Sequence, residues 1–421
     1  MIKKLTSKTR SALLSGTVVV TTGVLISAVF GYLLQLFLGR MLSVADYGTF
    51  NALLSLMYLV GVPAGVLGTT IIKVSSELSA KEQFSKLTAL FWRLVLAFSA
   101  LGIGFFLLLS FSRNFLATQL NIEDPSLFIP FGIMLAVSYL VVTPNSYLQG
   151  LLRFKAYAFH LVLASVLRFV FPIALIFYGY KVGGVFIGIS LSVLTSFLVA
   201  LILLKKNFRK LEAFNLRKNF EKIVSFSLPV LFITSGLMFL NNMDMILVKK
   251  YFDPTLAGYY AGTVTLGKIL LFGAGTVATV MFPQISALYT RKEPYLEKFK
   301  QLFSLQLLIV SGGVLVFTFC PRLLTLTFFG ERFYNSIDFL PRFALFIGLY
   351  VLVNFMVMFF LAIEKTRVFL FLLPVVVIQY ILITFNHSTL MEVININVIV
   401  TLVLLISLFV YFFFARKKKL L

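Results

Sequence analysis

"SALLSGTVVVTTGVLISAVFGYLLQLFLG", residues 11–39, runs for 29 residues without an Asp, Glu, Lys or Arg. About 20 apolar residues in an α-helix cross ~30 Å of hydrocarbon, so this run can span a bilayer. Lipid offers no partners to backbone N–H and C=O groups, and a helix satisfies them within one segment. The pattern recurs: 26 uncharged residues separate Asp46 from Lys73, and 28 separate Asp124 from Arg153. Of the 421 residues, 60% are hydrophobic and 12% charged, too few charges to cover a water-soluble surface. The expectation is an all-α integral membrane protein. Twelve transmembrane helices are expected, centred near residues 25, 60, 102, 138, 169, 193, 236, 269, 310, 352, 379 and 404. Lys3, Lys4, Lys8 and Arg10 precede the first span as they would in a signal peptide. The apolar core that follows is much longer than the roughly 7–15 residues of a cleaved signal, so it reads as a retained helix.

The formal net charge of +22 raises nucleic acid as a partner, but the distribution of charge argues against it. With the N-terminus inside, 27 of the 37 Lys and Arg fall in the termini and even-numbered loops. Eight fall in the opposite loops: Arg40, Arg113, Lys181, Lys249, Lys250, Arg322, Arg332 and Arg342. This positive-inside bias predicts a cell inner membrane protein with both termini cytoplasmic. The "RKKK" at 416–419 fits the same topogenic role better than lipid recognition. Arg168 and Lys268 alone among the basic residues lie within spans.

The basic stretch "KKNFRKLEAFNLRKNFEK", 205–222, separates a six-span lobe at 1–204 from a second at 223–421. It reads as a cytoplasmic linker carrying an amphipathic surface helix. A shift of 210 residues superimposes Arg40 on Lys250, Gly48 on Gly258, Ala64-Gly65 on Ala274-Gly275, Thr69 on Thr279 and Ser76 on Ser286. Identity over residues 31–80 is seven positions in fifty, yet each match falls at the same topological point. Six spans per lobe give both lobes one orientation, the arrangement of a parallel repeat.

Three motifs carry a resemblance. They are the "GR-x-L-x-x-x-x-YG" from Gly39 to Gly48, the "D-x-I-L-V … AGYYA" from Asp244 to Ala261, and "MFPQIS" at 281–286. Together they resemble the polysaccharide transporter family, lipid-linked oligosaccharide flippases of the multidrug/oligosaccharidyl-lipid/polysaccharide superfamily. The resemblance implies two six-helix lobes around a central cavity, alternating access, and a polyprenyl-diphosphate-linked glycan as cargo. A lipid II or multidrug exporter of the same superfamily is the alternative. Twelve spans count against the lipid II branch, which often has two more. A membrane polysaccharide polymerase would need a large, charged external loop, and none exceeds about thirty residues.

Three charges within spans demand an account. Each costs roughly 2.5–3.5 kcal/mol at a bilayer centre on insertion scales. Arg168 is central, 13 residues from both Lys155 and Lys181. Lys268 lies ten residues past Gly258, about 15 Å deep, and Asp244 five before Lys249, about 7–8 Å deep. Asp244 and Lys268 can pair with each other across spans seven and eight. That leaves Arg168 alone, and no member of the three has a charged partner in the repeat: they align with Ile378, Tyr58 and Leu34. A cationic excess suits an anionic cargo, with the arginine fork and the lysine point charge meeting phosphate oxygens. Arg168 and Lys268 are therefore the expected phosphate contacts. Arg93 at the inner mouth and Arg40 at the outer end of span one are headgroup contacts or interface anchors. Gln35 and Asn145 are candidates for sugar contacts or helix packing. Asp244, with Asn241 three residues earlier on the same helix face, is the candidate ion-coupling site. Na⁺, H⁺ and the membrane potential all stay open as driving forces.

The remaining signals exclude more than they assign. Prolines 63, 144, 172, 229, 283 and 374 fall within spans and mark gating kinks or static curvature. The single Cys320 rules out an internal disulfide. His160 and His387 fall on opposite membrane sides and are not expected to share a metal. The chain has no P-loop, no cofactor is expected, membrane lipids surround it, and a two-lobed monomer suffices for the mechanism.

Overall fold

In the computed structural model the described residues are 7–210 and 217–417, with side chains described over 18–210 and 228–415. They form helices and turns, with no strand among them. Among the described residues, twelve helical segments are long and apolar enough to cross a membrane, and each contains one of the twelve expected centres. The helices in chain order begin with α1 (Ser7–Met41), α2 (Val44–Ala80), α3 (Phe84–Phe111) and α4 (Arg113–Gln119). They continue with α5 (Phe128–Leu140), α6 (Val142–Gly150), α7 (Phe154–Phe177) and α8 (Val182–Leu204). The second series is α9 (Arg217–Tyr251), α10 (Pro254–Thr290), α11 (Leu296–Phe319) and α12 (Pro321–Phe329). It ends with α13 (Leu340–Ala362), α14 (Phe369–Phe385) and α15 (Leu390–Lys417).

The repeat that the letters barely carry is plain in the backbone. Helices α1 and α9 end at Met41 and Tyr251, 210 positions apart. Helices α2 and α10, each of 37 residues, both start and end 210 apart. The turns repeat as well. Glu82 and Lys292, 210 apart, both sit in the left-handed region at φ 57° and 58°. Leu152 and Glu364, 212 apart, take the same conformation at 55° and 61°. Each ends its helix in a Schellman motif: Gln83 N–H reaches Leu78 O, Arg153 reaches Leu148, Glu293 reaches Leu288 and Lys365 reaches Phe360. Four non-glycine residues hold this costly conformation at matched places, so the turn geometry recurs without a common residue type.

Two compact units emerge, and their boundary departs from the expected lobes at one place. Unit 1 takes the described residues up to Leu42 and from Pro63 to Ser227; unit 2 takes 43–62 and 228–421. The first part of α2 thus belongs with the second half of the chain. The cause is its packing on α10. A Cβ on Gly48 would lie 2.7 Å from Gly258 N, and one on Gly258 would collide with the Val44 carbonyl. Ten residues further on, Lys268 Nζ lies over the Tyr58 ring at 5.3 Å. Gly48 with Gly258 and Tyr58 with Lys268 are repeat mates, so the two segments run parallel and in register, with glycine permitting the close crossing. The buried Tyr47 hydroxyl bonds Thr265 Oγ1 at 2.8 Å, and its ring packs edge-on to Phe329 and Phe333. Gly258→Ala should cost about 1–3 kcal/mol through this overpacking, read as a lower melting temperature of the purified protein. Gly61→Ala, which meets nothing within 4 Å, serves as the neutral control.

Within unit 1, α7 packs on α1 and α8, while α5 packs on α3 and α8. Small residues make these contacts close: Gly188 faces the Pro172 backbone, and Gly102 that of Ala136. The end of α8 is tied down by Arg153, whose guanidinium donates to Leu203 O and to Asn207 Oδ1. Within unit 2, α13 is the central helix, packed by α10, α11 and α15. An apolar helix with no polar face suits that enclosed place. The surface helix expected at 205–222 does not form as a separate element among the described residues. Lys205–Asn207 is a single 3₁₀ turn, and from Arg217 onward the described chain is helical and continuous with the span of α9. Residues 211–216 lie outside the described residues, as do the side chains of the 416–419 run. Prolines 63, 172, 229, 283 and 374 sit inside unbroken helices, whereas the α5–α6 break falls at Val141, three residues before Pro144.

Candidate functional site

Unit 1 contains a cavity of about 250 Å³. Along α7 its wall is His160, Leu161, Ala164, Ser165 and Arg168, the spacing of one helix face. Helices α1, α6 and α8 close it with Ser27, Asn145 and Ser196 among others, and no Asp or Glu lines it. Arg168 is half-buried and has no hydrogen bond or ion pair with any described residue. His160 is fully buried, its Nε2 lying 3.0 Å from Ser196 O and 2.8 Å from Ser196 Oγ. A carbonyl only accepts, so Nε2 carries the proton that faces it. Ring atom Nδ1 is then left without a partner, as are the buried Asn145 Oδ1 and Ser27 Oγ.

Unit 2 explains the tolerated carboxylate. Asp244 on α9 has no solvent exposure. Its Oδ2 accepts from Tyr260 Oη at 2.6 Å and from Asn397 Nδ2 at 3.0 Å, while Oδ1 accepts from Met245 N at 2.8 Å. Asn397 Oδ1 in turn accepts from Gln379 Nε2 at 2.9 Å, and the same amide donates to Leu240 O at 3.1 Å. The network joins α9, α10, α14 and α15 around one buried charge. Its own backbone N–H also donates, so the carboxylate is engaged on both oxygens.

The sequence-derived residues separate accordingly. No direct Asp244–Lys268 contact forms: Asp244 bonds Tyr260, Asn397 and Met245 N, and Lys268 rests on Tyr58 while its charge still reaches Asp244 through space. Such a cation–π contact is worth roughly 0.5–2 kcal/mol, depending on how desolvated it is. Asn241 is buried, yet the amide that meets Asp244 is Asn397, from a helix 153 residues away in sequence. Asn145 does line the Arg168 cavity. Arg93 and Arg40 are exposed, Gln35 is half-buried, and all three engage neighbours. Arg168 lies in unit 1 and Lys268 in unit 2.

Sequence reasoning missed Tyr260, Gln379, Asn397, His160 and Lys249. Lys249, read as an outer-loop cation, is among the largest fully buried side chains. A signal existed for Asn397: "NIN" at 395–397 puts two amides inside an apolar run. Asn395 is used differently, accepting from Arg342 Nε at 2.9 Å.

The all-helical architecture, with twelve candidate spans among the described residues, is the fold of solved transporters of the multidrug/oligosaccharidyl-lipid/polysaccharide (MOP) superfamily. A family model described as "Polysaccharide biosynthesis protein" matches residues 13–289, and the chain belongs to that family. Among solved structures, an inward-facing multidrug resistance MATE transporter of the MOP superfamily aligns with a TM-score of 0.74 at 14% identity, over 93% of this chain and 96% of its own. The lipid II flippase MurJ in an inward closed conformation aligns at 0.69 and 14%, over 93% and 86%. A MOP transporter from Pyrococcus furiosus, described as having a binding pocket of reverse polarity, aligns at 0.59 and 16%, over 95% and 94%. A comparison with curated protein sequences finds no match.

Proposed function

We propose that this protein flips a polyprenyl-diphosphate-linked oligosaccharide across the cytoplasmic membrane for cell-surface polysaccharide synthesis. One observation carries the reading: a half-buried guanidinium, always charged, in a cavity whose lining holds no carboxylate. A cavity of that polarity repels a cationic drug and attracts a diphosphate. Membership of a polysaccharide biosynthesis family supports the glycan part of the cargo. The polar head would be enclosed by alternating access while the polyprenyl tail stays in lipid. The loop charge bias favours both termini in the cytoplasm, and a monomer is sufficient.

Lys268 is the second expected phosphate contact, held by Tyr58 until the headgroup arrives. In proteoliposomes containing a defined polyprenyl-diphosphate glycan, Lys268→Ala should slow flipping by about tenfold, the effect of losing one charge-assisted contact. An unchanged rate would remove Lys268 from the site. Asp244 is the proposed coupling residue, as the buried carboxylate of the unit 2 network. Coupling predicts that a Na⁺ or proton gradient accelerates flipping in wild type and not in Asp244→Asn.

A further inference from the structure

The six residues that leave α8, "KKNFRK" at 205–210, hold four basic side chains and no acidic one. They are strapped to the start of α3. Arg209 N donates to Thr88 Oγ1 at 2.9 Å. The Phe208 ring packs on the buried Phe91 ring at 5.0 Å and on Trp92 at 6.1 Å. Arg153, just before α7, donates to Asn207 Oδ1 at 2.9 Å. The Arg209 guanidinium folds back along the strap, its Nη1 donating to Lys206 O and Phe208 O at 3.2 Å each. Its Nε and Nη2 donors have no partner among the described residues. Lys205, Lys206, Arg209 and Lys210 are all exposed, and none forms an ion pair with a described residue.

Beside the strap, α3 carries an apolar lane. Trp92, Leu96, Ile103 and Leu107 are exposed, Trp92 by 44% and Leu96 by 72%. At 3.6 residues per turn the four share one face about 60° wide, which in a bilayer meets acyl chains. Trp92 to Ile103 is eleven residues, about 16 Å, close to one leaflet's half of the ~30 Å hydrocarbon layer. That depth sets Trp92 at the headgroup boundary, the level tryptophan favours. Thr88 and the strap bonded to it lie about 6 Å further out, among the headgroups. An apolar lane thus ends in an aromatic ring and then in a fixed group of cations. A phospholipid has the same order of acyl chain, glycerol boundary and phosphate. A soluble anion leaves the lane unused, and an uncharged lipid leaves the cations unused.

We propose that the strap and the exposed face of α3 form a docking surface for an anionic phospholipid of the adjoining leaflet, its headgroup on Lys206, Arg209 and Lys210 and an acyl chain along Trp92, Leu96 and Ile103. The loop charge bias assigns that leaflet to the cytoplasmic side, where the negative surface potential of the membrane attracts basic segments. Topogenic bias accounts for loose cations near a membrane. It does not call for a strap held by Thr88, Phe91 and Arg153 at the head of a lipid-facing lane. The surface shares no residue with the Arg168 cavity, and its occupant is a resident lipid, not the cargo. Docking fixes the first residues of the connector between the two units against the membrane.

Trp92 is the single tryptophan of the chain, so its fluorescence reports on this surface alone. The test places the full chain in vesicles of phosphatidylcholine and phosphatidylglycerol, with one or the other brominated on its acyl chains to quench tryptophan on contact. In wild type phosphatidylglycerol should bind beside Trp92 about fivefold tighter than phosphatidylcholine or more, the effect of one basic residue at a membrane surface. The preference should shrink at high salt. Lys206→Gln with Arg209→Gln should abolish it. Phe208→Ala keeps every charge, frees the strap and should lower the preference about threefold, as a lost aromatic pair warrants. Arg291→Gln with Lys300→Gln, an equal loss of charge between α10 and α11, should leave it unchanged. Melting temperatures show separately that each variant folds. Equal quenching by the two lipids in wild type, or a preference that survives the strap substitutions, overturns the surface. An equal loss in the Arg291 and Lys300 variant also overturns it, leaving general attraction to basic loops. Relief of quenching by a polyprenyl diphosphate at lower concentration than by unlabelled phosphatidylglycerol overturns the assignment by making the cargo the occupant.

Discussion

Arg168→Ala should bring flipping of a polyprenyl-diphosphate glycan down to the level of protein-free vesicles, while membrane insertion and melting temperature stay as in wild type. The guanidinium has no partner among the described residues, so its removal breaks no internal bond and leaves no buried group stranded. Stability therefore has little to lose. Transport has much to lose, since charge-assisted hydrogen bonds contribute about 1.5–3 kcal/mol each, on the order of ten- to a hundredfold in rate. Arg168→Lys keeps the charge and loses the bidentate fork, and should fall between the two. Full activity of Arg168→Ala, with flipping assayed on a defined glycan, removes the proposed phosphate site.

Asp244→Ala should behave in the opposite way and lose the folded protein first. The substitution takes away the acceptor shared by Tyr260 Oη and Asn397 Nδ2, both in the buried centre of unit 2. Each buried donor left unsatisfied costs about 1–3 kcal/mol, so the pair amounts to about 2–6 kcal/mol. The measurement is folded yield and melting temperature in detergent. Asp244→Asn keeps the shape and one acceptor oxygen, and its own amide then faces two donors, so an intermediate loss is expected. If Asp244→Ala melts with wild type, the network has no structural weight and Asp244 is free to serve coupling alone. The two variants thus divide the intramembrane charges: one held for a ligand, one held for the fold.

Lys268 belongs to neither class outright. Its cation–π contact with Tyr58 replaces the ion pair that the sequence allowed, and the reason lies in the register of α2 against α10. Two parallel helices that meet at Gly48 and Gly258 stay level for equal offsets along each chain, so position 268 lies at the depth of position 58 and its long stem reaches the ring. The sequence aligned Lys268 with Tyr58 only as an uncharged mismatch in the repeat. That aligned positions also touch is a property of the crossing, not of either helix.

The candidate cavity was half legible. Arg168 and Asn145 stood out because charges and amides are rare in apolar runs, and burial in lipid makes each of them costly. His160 did not, since one histidine near a span end carries no periodic signal; its Ser196 bond and its unpartnered Nδ1 depend on how α7 packs on α8. The same holds for Asn397, which reaches Asp244 across 153 residues of chain.

From the chain of letters came the class, the twelve spans and the 210-residue repeat, because hydrocarbon thickness and backbone hydrogen bonding act on each segment by itself. Tertiary structure alone decided which buried polar groups meet. It placed residues 43–62 with the second half of the chain, gave Asp244 to Tyr260 and Asn397 instead of Lys268, and left Arg168 to an open cavity. Those choices follow from close helix crossings and side-chain reach between segments far apart in sequence, which local periodicity does not encode.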